Sequence, residues 1–265
     1  MRLSDLQRRI QSFQKSGILD LFPNASAAYS LQSLSKFTNA VVRVRRSSDN
    51  AEQDFTESGI LSGLLTHFVG AGNNGFVSIL YDQSGNGNNA IQGTLINQPL
   101  IISGGSLILS NGKPSIFFDT GATTLNFQSI TALSIFTVAK IETFGVVNYI
   151  LFASTPARGF WYAQQGNGPG GIDGATLRST PSQFFSLNQQ LVSYFNNTLN
   201  FQVNINSSNS FNLQPFNQFS VNTISRSQGG LFFNGKISEI IMYNFNQTAN
   251  RLAIEANINE RYATF

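Results

Sequence analysis

From about residue 42 onward, short apolar runs alternate with clusters of Gly, Asn, Ser and Pro. Within these runs Ile, Phe, Val and Thr recur with a period close to two, the spacing of a strand that buries one face. Many short strands joined by turn-forming residues predict an all-β chain folded as an antiparallel β-sandwich. The runs that we assign to strands are residues 75–80, 107–110, 115–118, 134–141, 148–152, 191–195, 201–205 and 236–243.

Helical spacing appears near the two ends of the chain. An amphipathic stripe formed by Leu3, Leu6, Ile10 and Phe13 predicts a helical arm over residues 1–22 that docks on a partner protein. The alternative is a helix that packs on its own domain. We predict a second short helix over residues 27–37 and an amphipathic helix over 248–261. With no long linker in between, residues 23–265 are predicted to form one β-sandwich domain.

The composition narrows the classes of function. Charged residues make up 11% of the chain, against about 25% in an average soluble protein. A surface rich in Asn, Gln and Ser lacks charge repulsion, which suits a protein held in an assembly or exposed outside a cell. The net charge of +3 and a single short basic tract, residues 43–46, argue against nucleic-acid binding.

Cysteine is absent and His67 is the single histidine, which excludes disulfides, thiolate chemistry and multi-His metal centres. No apolar run reaches the roughly 18 residues of a membrane span. Charged residues near the N-terminus interrupt any signal-peptide core. We therefore expect synthesis in a host cytoplasm.

Two regions of the chain carry a family resemblance. Residues 27–31, 42–55 and 81–90, in that order and spacing, resemble the N-terminal part of the catalytic domain of the fungal-type α-L-arabinofuranosidase B family. They also resemble phage virion proteins that carry the same module. Residues 233–243 and the terminal helix are similar to the end of concanavalin A-like, laminin-G-like domains. The resemblance implies a concanavalin A-like jelly roll, which the strand pattern supports independently.

Glycoside hydrolysis requires two carboxyl groups, about 5–5.5 Å apart in retaining enzymes. The resemblance implies that they lie in the second half of the domain. Between Glu142 and Glu239 the single carboxylate is Asp173. It would have to pair with a distant acid such as Asp119 or Glu142. The family's vicinal disulfide is impossible without cysteine. We therefore predict no catalytic residue and a chain that is not an enzyme.

Aromatic and amide side chains mark a candidate carbohydrate site. Apolar sugar faces stack on aromatic rings and sugar hydroxyls pair with amides, which favours a site formed by Trp161, Tyr162, Gln164, Gln165, Asn167 and Asp173. The alternative is a core tryptophan beside a surface loop.

Two polar clusters allow other interpretations. Asp82, Asn86 and Asn88 offer oxygen ligands and form a weak candidate for Ca²⁺, the alternative being a turn whose side chains cap backbone amides. We expect no cofactor. The acids of residues 49–54, beside the arginines of residues 43–46, are interpreted as an ion-pair network rather than a site for a cation or an acidic sugar.

Together these observations predict a non-enzymatic phage virion protein, a decoration, head-fibre or tail component exposed on the particle. Its arm would dock on other virion proteins in a homo-oligomer or larger assembly, and its lectin-like domain would bind host glycans. The alternatives are a glycoside hydrolase that depolymerises host surface polysaccharide and a free carbohydrate-binding protein.

Overall fold

The structure is a computed structural model. It describes residues 17–36, 39–143, 148–153, 158–163, 168–173, 176–184, 186–197, 199–215, 217–225 and 233–265. The apolar stripe of the predicted arm, Leu3, Leu6, Ile10 and Phe13, lies outside the described residues.

Four helices and twenty-one strands are formed within the described residues. The helices are α1 (Ile18–Leu21), α2 (Glu57–Leu61), α3 (Leu64–Val69) and α4 (Arg251–Tyr262). The strands are β1 (Ala27–Ser30), β2 (Val42–Arg46), β3 (Glu52–Phe55), β4 (Gly75–Leu80), β5 (Ala90–Ile91), β6 (Leu100–Ser103), β7 (Ser106–Leu107), β8 (Leu109–Ser110), β9 (Lys113–Pro114), β10 (Ile116–Phe118), β11 (Leu125–Thr131), β12 (Ser134–Ile141), β13 (Asn148–Ala153), β14 (Arg158–Ala163), β15 (Gly170–Asp173), β16 (Thr176–Ser179), β17 (Gln190–Asn196), β18 (Phe201–Ile205), β19 (Asn209–Leu213), β20 (Ser220–Ile224) and β21 (Gly235–Tyr243).

The strands pair antiparallel in two runs that form the predicted β-sandwich, which confirms the fold class. One run is β19–β18–β17–β12–β21, in which β21 also pairs with β1 and β10. The other is β3–β2–β4–β5–β11–β20–β13–β14–β15–β16. Strand β6 pairs with both β4 and β10 and joins the two runs at one side.

Strand β12 shows how the chain builds three layers. Ile135 and Ile141 belong to the main core, whereas Phe136 and Val138 belong to a second cluster on the opposite face of the same sheet. Successive side chains of a strand point to opposite faces, so this strand, which is buried at seven of its eight positions, is covered on both sides. A covering layer outside the sheet is therefore required.

Helix α4 provides that layer. Its residues Ile254, Ile258 and Tyr262 are fully buried and pack in the second cluster with Ile18 and Leu19 of α1. Burying each such side chain contributes about 1.5–3 kcal/mol, so α4 is held by its apolar face. No helix in the described part of the chain has both the length and the apolar character needed to cross a membrane.

The helix predicted over residues 27–37 is wrong, because Ala27–Ser30 forms strand β1 and residues 31–36 are not helical. Ala28, Leu31 and Leu34 have helical spacing, but residues 27–30 pair with β21, where Ala27 lies opposite Met242. Ala27 and Tyr29 face the main core, whereas Ala28 faces the layer of α4. Alternate burial on a two-residue period decides in favour of the strand.

Candidate functional site

The turn that follows β4 is organised around the carboxylate of Asp82. Its Oδ1 accepts hydrogen bonds from the backbone N–H groups of Ala28 and Ser84, both at 2.9 Å. Its Oδ2 accepts from Ser84 Oγ at 2.7 Å and from the Asn88 N–H at 3.0 Å. These donors occupy both oxygens and connect the turn to β1, as expected of an Asx-type turn.

The asparagines of this turn also bind backbone. Nδ2 of Asn86 donates to the carbonyl of Ala25 at 2.8 Å, and Nδ2 of Asn88 donates to that of Ser26 at 2.7 Å. The weak Ca²⁺ candidate formed by Asp82, Asn86 and Asn88 therefore holds the turn against β1 and against the loop before it. Within the described residues, no group of three or more His, Cys, Asp or Glu side chains is arranged to hold a metal ion.

An open cleft of about 940 Å³ lies beside this turn. We call it the Asp54 cleft. Its walls come from α1 and the loop after it, the loop after β1, the end of β3, the Asp82 turn and the residue after β21. The lining residues are Leu19, Asp20, Pro23, Asn24, Ala25, Ser26, Ser35, Asn39, Ala40, Asp54, Tyr81, Asp82, Gln83, Ser84, Gly85, Asn86 and Asn244.

Sheet register brings Arg43, Asp54 and Tyr81 together at the cleft. Arg43 of β2 lies directly opposite Asp54 of β3, and Tyr81 directly follows β4, the other neighbour of β2. Arg43 donates from Nε to Oδ1 of Asp54 at 2.7 Å and from Nη2 to Oδ2 at 2.9 Å. The Tyr81 hydroxyl donates to Oδ1 at 2.8 Å. Three polar side chains are thereby fixed in one orientation.

These contacts set the protonation of the site. The hydrogen bonds from Arg43, and to a smaller extent that from Tyr81, hold the pKa of Asp54 below its usual value. Burial, followed by the hydrogen bond to Asp54, raises the pKa of Tyr81 to about 12. At neutral pH the pair is therefore an anionic carboxylate and a neutral phenol.

A third carboxylate, Asp20 of α1, lines the same cleft. Its Oδ2 accepts hydrogen bonds from the backbone N–H of Gly17 at 2.8 Å and of Lys36 at 3.1 Å. It therefore fixes the start of α1 and the loop that follows β1. Asp20, Asp54 and Asp82 come from distant parts of the sequence and share one cleft.

The acids and arginines of residues 43–54 form ion pairs of the kind predicted. Beside the Arg43–Asp54 pair, Arg46 pairs with Asp49 at 2.7 Å. Arg45 instead donates to the side-chain oxygens of Gln98 and Asn50, both at 2.7 Å. The sequence interpretation grouped these residues correctly but missed that one pair opens onto a cleft. The residue that could have revealed the cleft is Tyr81, because its position directly after β4 places it beside β2.

The predicted carbohydrate residues lie elsewhere in the fold. Trp161 and Tyr162 are on β14, and Asp173 ends β15. In the backbone register Trp161 lies opposite Gly170, whereas Asp173 lies opposite Arg158. Since residues along a strand are about 3.4 Å apart, the backbones of Trp161 and Asp173 are separated by about 10 Å along the hairpin. Gln164, Gln165 and Asn167 lie outside the described residues.

Comparison with known proteins identifies the fold. No protein-family model and no curated protein matches the chain. Among solved structures, an arabinofuranosidase in complex with arabinofuranosyl-α-1,2-xylobiose has a TM-score of 0.68 at 14% identity, and the match covers 90% of this chain. A GH54 α-L-arabinofuranosidase soaked with a cyclic sulfate inhibitor has a TM-score of 0.67 at 15% identity, again over 90% of this chain. The chain spans 63% of the length of each.

These comparisons confirm the resemblance to the arabinofuranosidase β-sandwich at the level of the fold. They contradict the prediction that the chain is not an enzyme, because the two structures named above, which share its fold, are glycoside hydrolases. The prediction rested on the acids between Glu142 and Glu239 and did not consider a catalytic pair among those of the first half of the chain, three of which line the cleft. Nothing in these comparisons bears on the virion role, which stays a prediction.

Proposed function

We propose that this chain is a glycoside hydrolase that acts on a polysaccharide, with the Asp54 cleft as its site. The observation that carries the proposal is an anionic aspartate, fixed by Arg43 and Tyr81, in a cleft that two further carboxylates line. The fold shared with two arabinofuranosidases supports it. The cleft volume of about 940 Å³ lies within the usual range of ligand sites.

Hydrolysis of a glycosidic bond requires one ionised carboxylate and one carboxylic acid. Asp54 suits the ionised role, as nucleophile or as base, because its pKa is lowered. Asp82 has two donors on each oxygen, so its carboxylate is used to hold the turn. Both donors to Asp20 reach Oδ2, which leaves Oδ1 open to a substrate, so we assign the second carboxyl role to Asp20. Tyr81, neutral at pH 7, would hold Asp54 in place and accept a hydrogen bond from a sugar hydroxyl.

The proposal is tested by the release of reducing sugar from arabinan and from bacterial capsular polysaccharide. Replacing Asp54 by Asn keeps the shape and removes the charge, and should lower turnover by about 10²- to 10⁴-fold. Asp49→Asn is the matched control, because Asp49 pairs with Arg46 away from the cleft. Turnover that survives Asp54→Asn but is lost in Asp173→Asn would show that the catalytic site lies at β15 and not in the cleft.

Carbohydrate binding is a second function that the cleft supports. Three exposed asparagines, Asn24, Asn39 and Asn244, surround it and present amides that suit sugar hydroxyls. A glycan array should then show hits that Tyr81→Ala removes. Hits that Trp161→Ala removes, while Tyr81→Ala keeps them, would favour the residues predicted from the sequence.

We also propose that the chain works on the surface of a virus particle. The low share of charged residues, 11%, supports a place in an assembly. Because Ile18 and Leu19 are buried against α4, the docking arm is best tested by deleting residues 1–16 alone. The truncated chain should fold but fail to enter particles, as measured by mass spectrometry of purified particles. Normal incorporation would refute docking through the arm.

A further inference from the structure

Strand β19 forms one edge of the β-sandwich. Within the described residues it pairs with β18 alone, from Asn209 opposite Ile205 to Leu213 opposite Phe201. The residues of an antiparallel strand direct their backbone N–H and C=O groups alternately to its two sides, so part of the backbone of β19 points toward the open side. Such an edge is a template for a further strand.

The features that usually protect a sheet edge are missing from β19. The strand contains no charged residue and no proline between Asn209 and Leu213, and its register with β18 has no bulge. The lack of charge extends well beyond the strand, because no charged residue lies between Arg178 and Arg226. Natural sheets commonly use charge, proline or a bulge to block a further strand, so β19 is left able to pair.

The side chains of β19 alternate between the core and the outer surface. Phe211 and Leu213 are half-buried and pack against the main core. The ring of Phe211 meets that of Phe184 edge-on, with 4.6 Å between the ring centroids. Ser210 and Asn212 are exposed on the other face. A further strand with the same alternation would therefore extend both the apolar margin of the core and the polar outer face.

We propose that β19 pairs antiparallel with β19 of a second copy of this chain, so that two sandwiches share one continuous sheet. A two-fold axis at Asn212 would place Phe211 opposite Leu213 of the other copy, and Asn212 opposite its own equivalent. Apolar side chains then meet apolar ones on the core face, and amides meet on the outer face. Because each copy uses the same strand, the pairing closes as a dimer.

Charge distinguishes this edge from the edges of the other run of strands. In a two-fold pairing a strand meets its own copy, so a charged strand meets its own charge. Self-pairing of β3 would bring Glu52 opposite Asp54 of the other copy, and like charges in that position are destabilising. Strand β16 carries Arg178 among only four residues. Self-pairing of β19 brings no charges together, which favours a second copy as its partner.

Sedimentation equilibrium over a dilution series tests for the dimer. Two paired strands of five residues form a small interface, so the chain should dimerise at micromolar concentrations and dissociate on dilution. Asn212→Lys places two ammonium groups opposite each other, and should weaken the dimer by about tenfold or more. Asn212→Asp should do the same, whereas an equimolar mixture of the two variants should recover the dimer. Thr176→Lys, at the exposed edge of β16, is the matched control and should leave dimerisation unchanged.

Cysteine substitution locates the contact, because the chain has no cysteine of its own. Asn212→Cys puts one thiol of each copy at the two-fold axis, so oxidation in air should join the two copies through a disulfide. Thr176→Cys should stay unlinked under the same conditions. Asn212 and Thr176 are both exposed, so the variants should keep the melting temperature of the wild-type chain.

Three results would each overturn the proposal. They are a chain that stays monomeric at every concentration, a dimer that Asn212→Lys leaves intact, and a disulfide that forms as readily from Thr176→Cys as from Asn212→Cys. No residue of β19 lines the Asp54 cleft. Loss of the dimer therefore leaves the proposed hydrolysis standing, and a lack of hydrolysis leaves the dimer standing.

Discussion

The Tyr81 hydroxyl and the Nε of Arg43 donate to the same oxygen, Oδ1 of Asp54, at 2.8 and 2.7 Å. Two donors on one oxygen hold the carboxylate in a single orientation. Oδ2 receives Nη2 of Arg43 at 2.9 Å and has capacity for another donor, because a carboxylate oxygen has two lone pairs. The site is therefore rigid on its protein side and able to accept a ligand hydroxyl.

Removing the Tyr81 hydroxyl should weaken ligand binding more than it weakens the fold. Tyr81→Phe deletes one hydrogen bond to a charged, partly exposed group, which costs about 1 kcal/mol of unfolding free energy. The affinity for the bound saccharide should fall about tenfold, because Asp54 loses its positioning partner. Urea unfolding and calorimetry measure the two effects. Unchanged affinity would show that Tyr81 does not contribute to the site.

Stability should decrease in acid because of Asp54 and Asp49. Both pKa values are lowered in the folded state, that of Asp49 to about 2, in each case mainly by hydrogen bonds from an arginine. A lowered folded pKa gives a stabilisation that is complete above the unfolded pKa of about 3.9 and is lost as the pH falls through the folded pKa. The melting temperature should therefore fall between about pH 4 and pH 2. In the double variant Asp49→Asn and Asp54→Asn the melting temperature should fall less over this range. An equally steep fall would show that these two carboxylates are not the cause of the acid sensitivity.

The Asp82 turn should depend on its carboxylate. Asp82→Ala removes the acceptor of four hydrogen bonds, one from Ala28 of β1 and three from within the turn, and should cost about 2–4 kcal/mol of unfolding free energy. Asp119→Ala is the control, because Asp119 caps its own loop through Gly121. Urea unfolding compares the two variants. Equal losses of unfolding free energy in the two variants would show that the Asp82 network stabilises the fold no more than an ordinary loop cap does.

A buried ion pair fixes α4 to the sheet. Glu239 of β21 has 1% of its side chain exposed and pairs with Arg261 of α4. Arg261→Met leaves this carboxylate buried without its cation, which should cost about 3–5 kcal/mol of unfolding free energy. Adding Glu239→Gln should restore part of the loss, since the uncompensated charge is then removed. A double variant less stable than Arg261→Met would refute this account.

Strands with strong alternation could be predicted from the sequence. Residues 75–80, 134–141 and 201–205 are strands with the predicted bounds, because apolar side chains on a two-residue period pack on the faces of a sheet. Strand β1 was missed because its apolar spacing also fits a helix. Its conformation is decided by pairing with β21 near the other end of the chain, and local spacing contains no information about that contact.

The candidate site was less predictable for the same reason. Arg43 and Asp54 were recognised from their nearness in the sequence as members of one ion-pair network, without being assigned to each other. Tyr81 and Asp20 join them through the β2–β4 pairing and the packing of α1 on α4. The sequence shows which residues are polar, but the chain connectivity in space decides that three distant aspartates line one cleft.

A crystal structure of the Asp54→Asn variant with a bound oligosaccharide tests the central claim most directly. The ligand should come from the arabinan or capsular digest on which the wild-type protein is active. The account predicts a sugar in the cleft, within hydrogen-bonding distance of Tyr81 and of residue 54, with Asn24 or Asn244 alongside. A sugar bound instead along β14 and β15, near Trp161 and Asp173, with the Asp54 cleft empty, would contradict it.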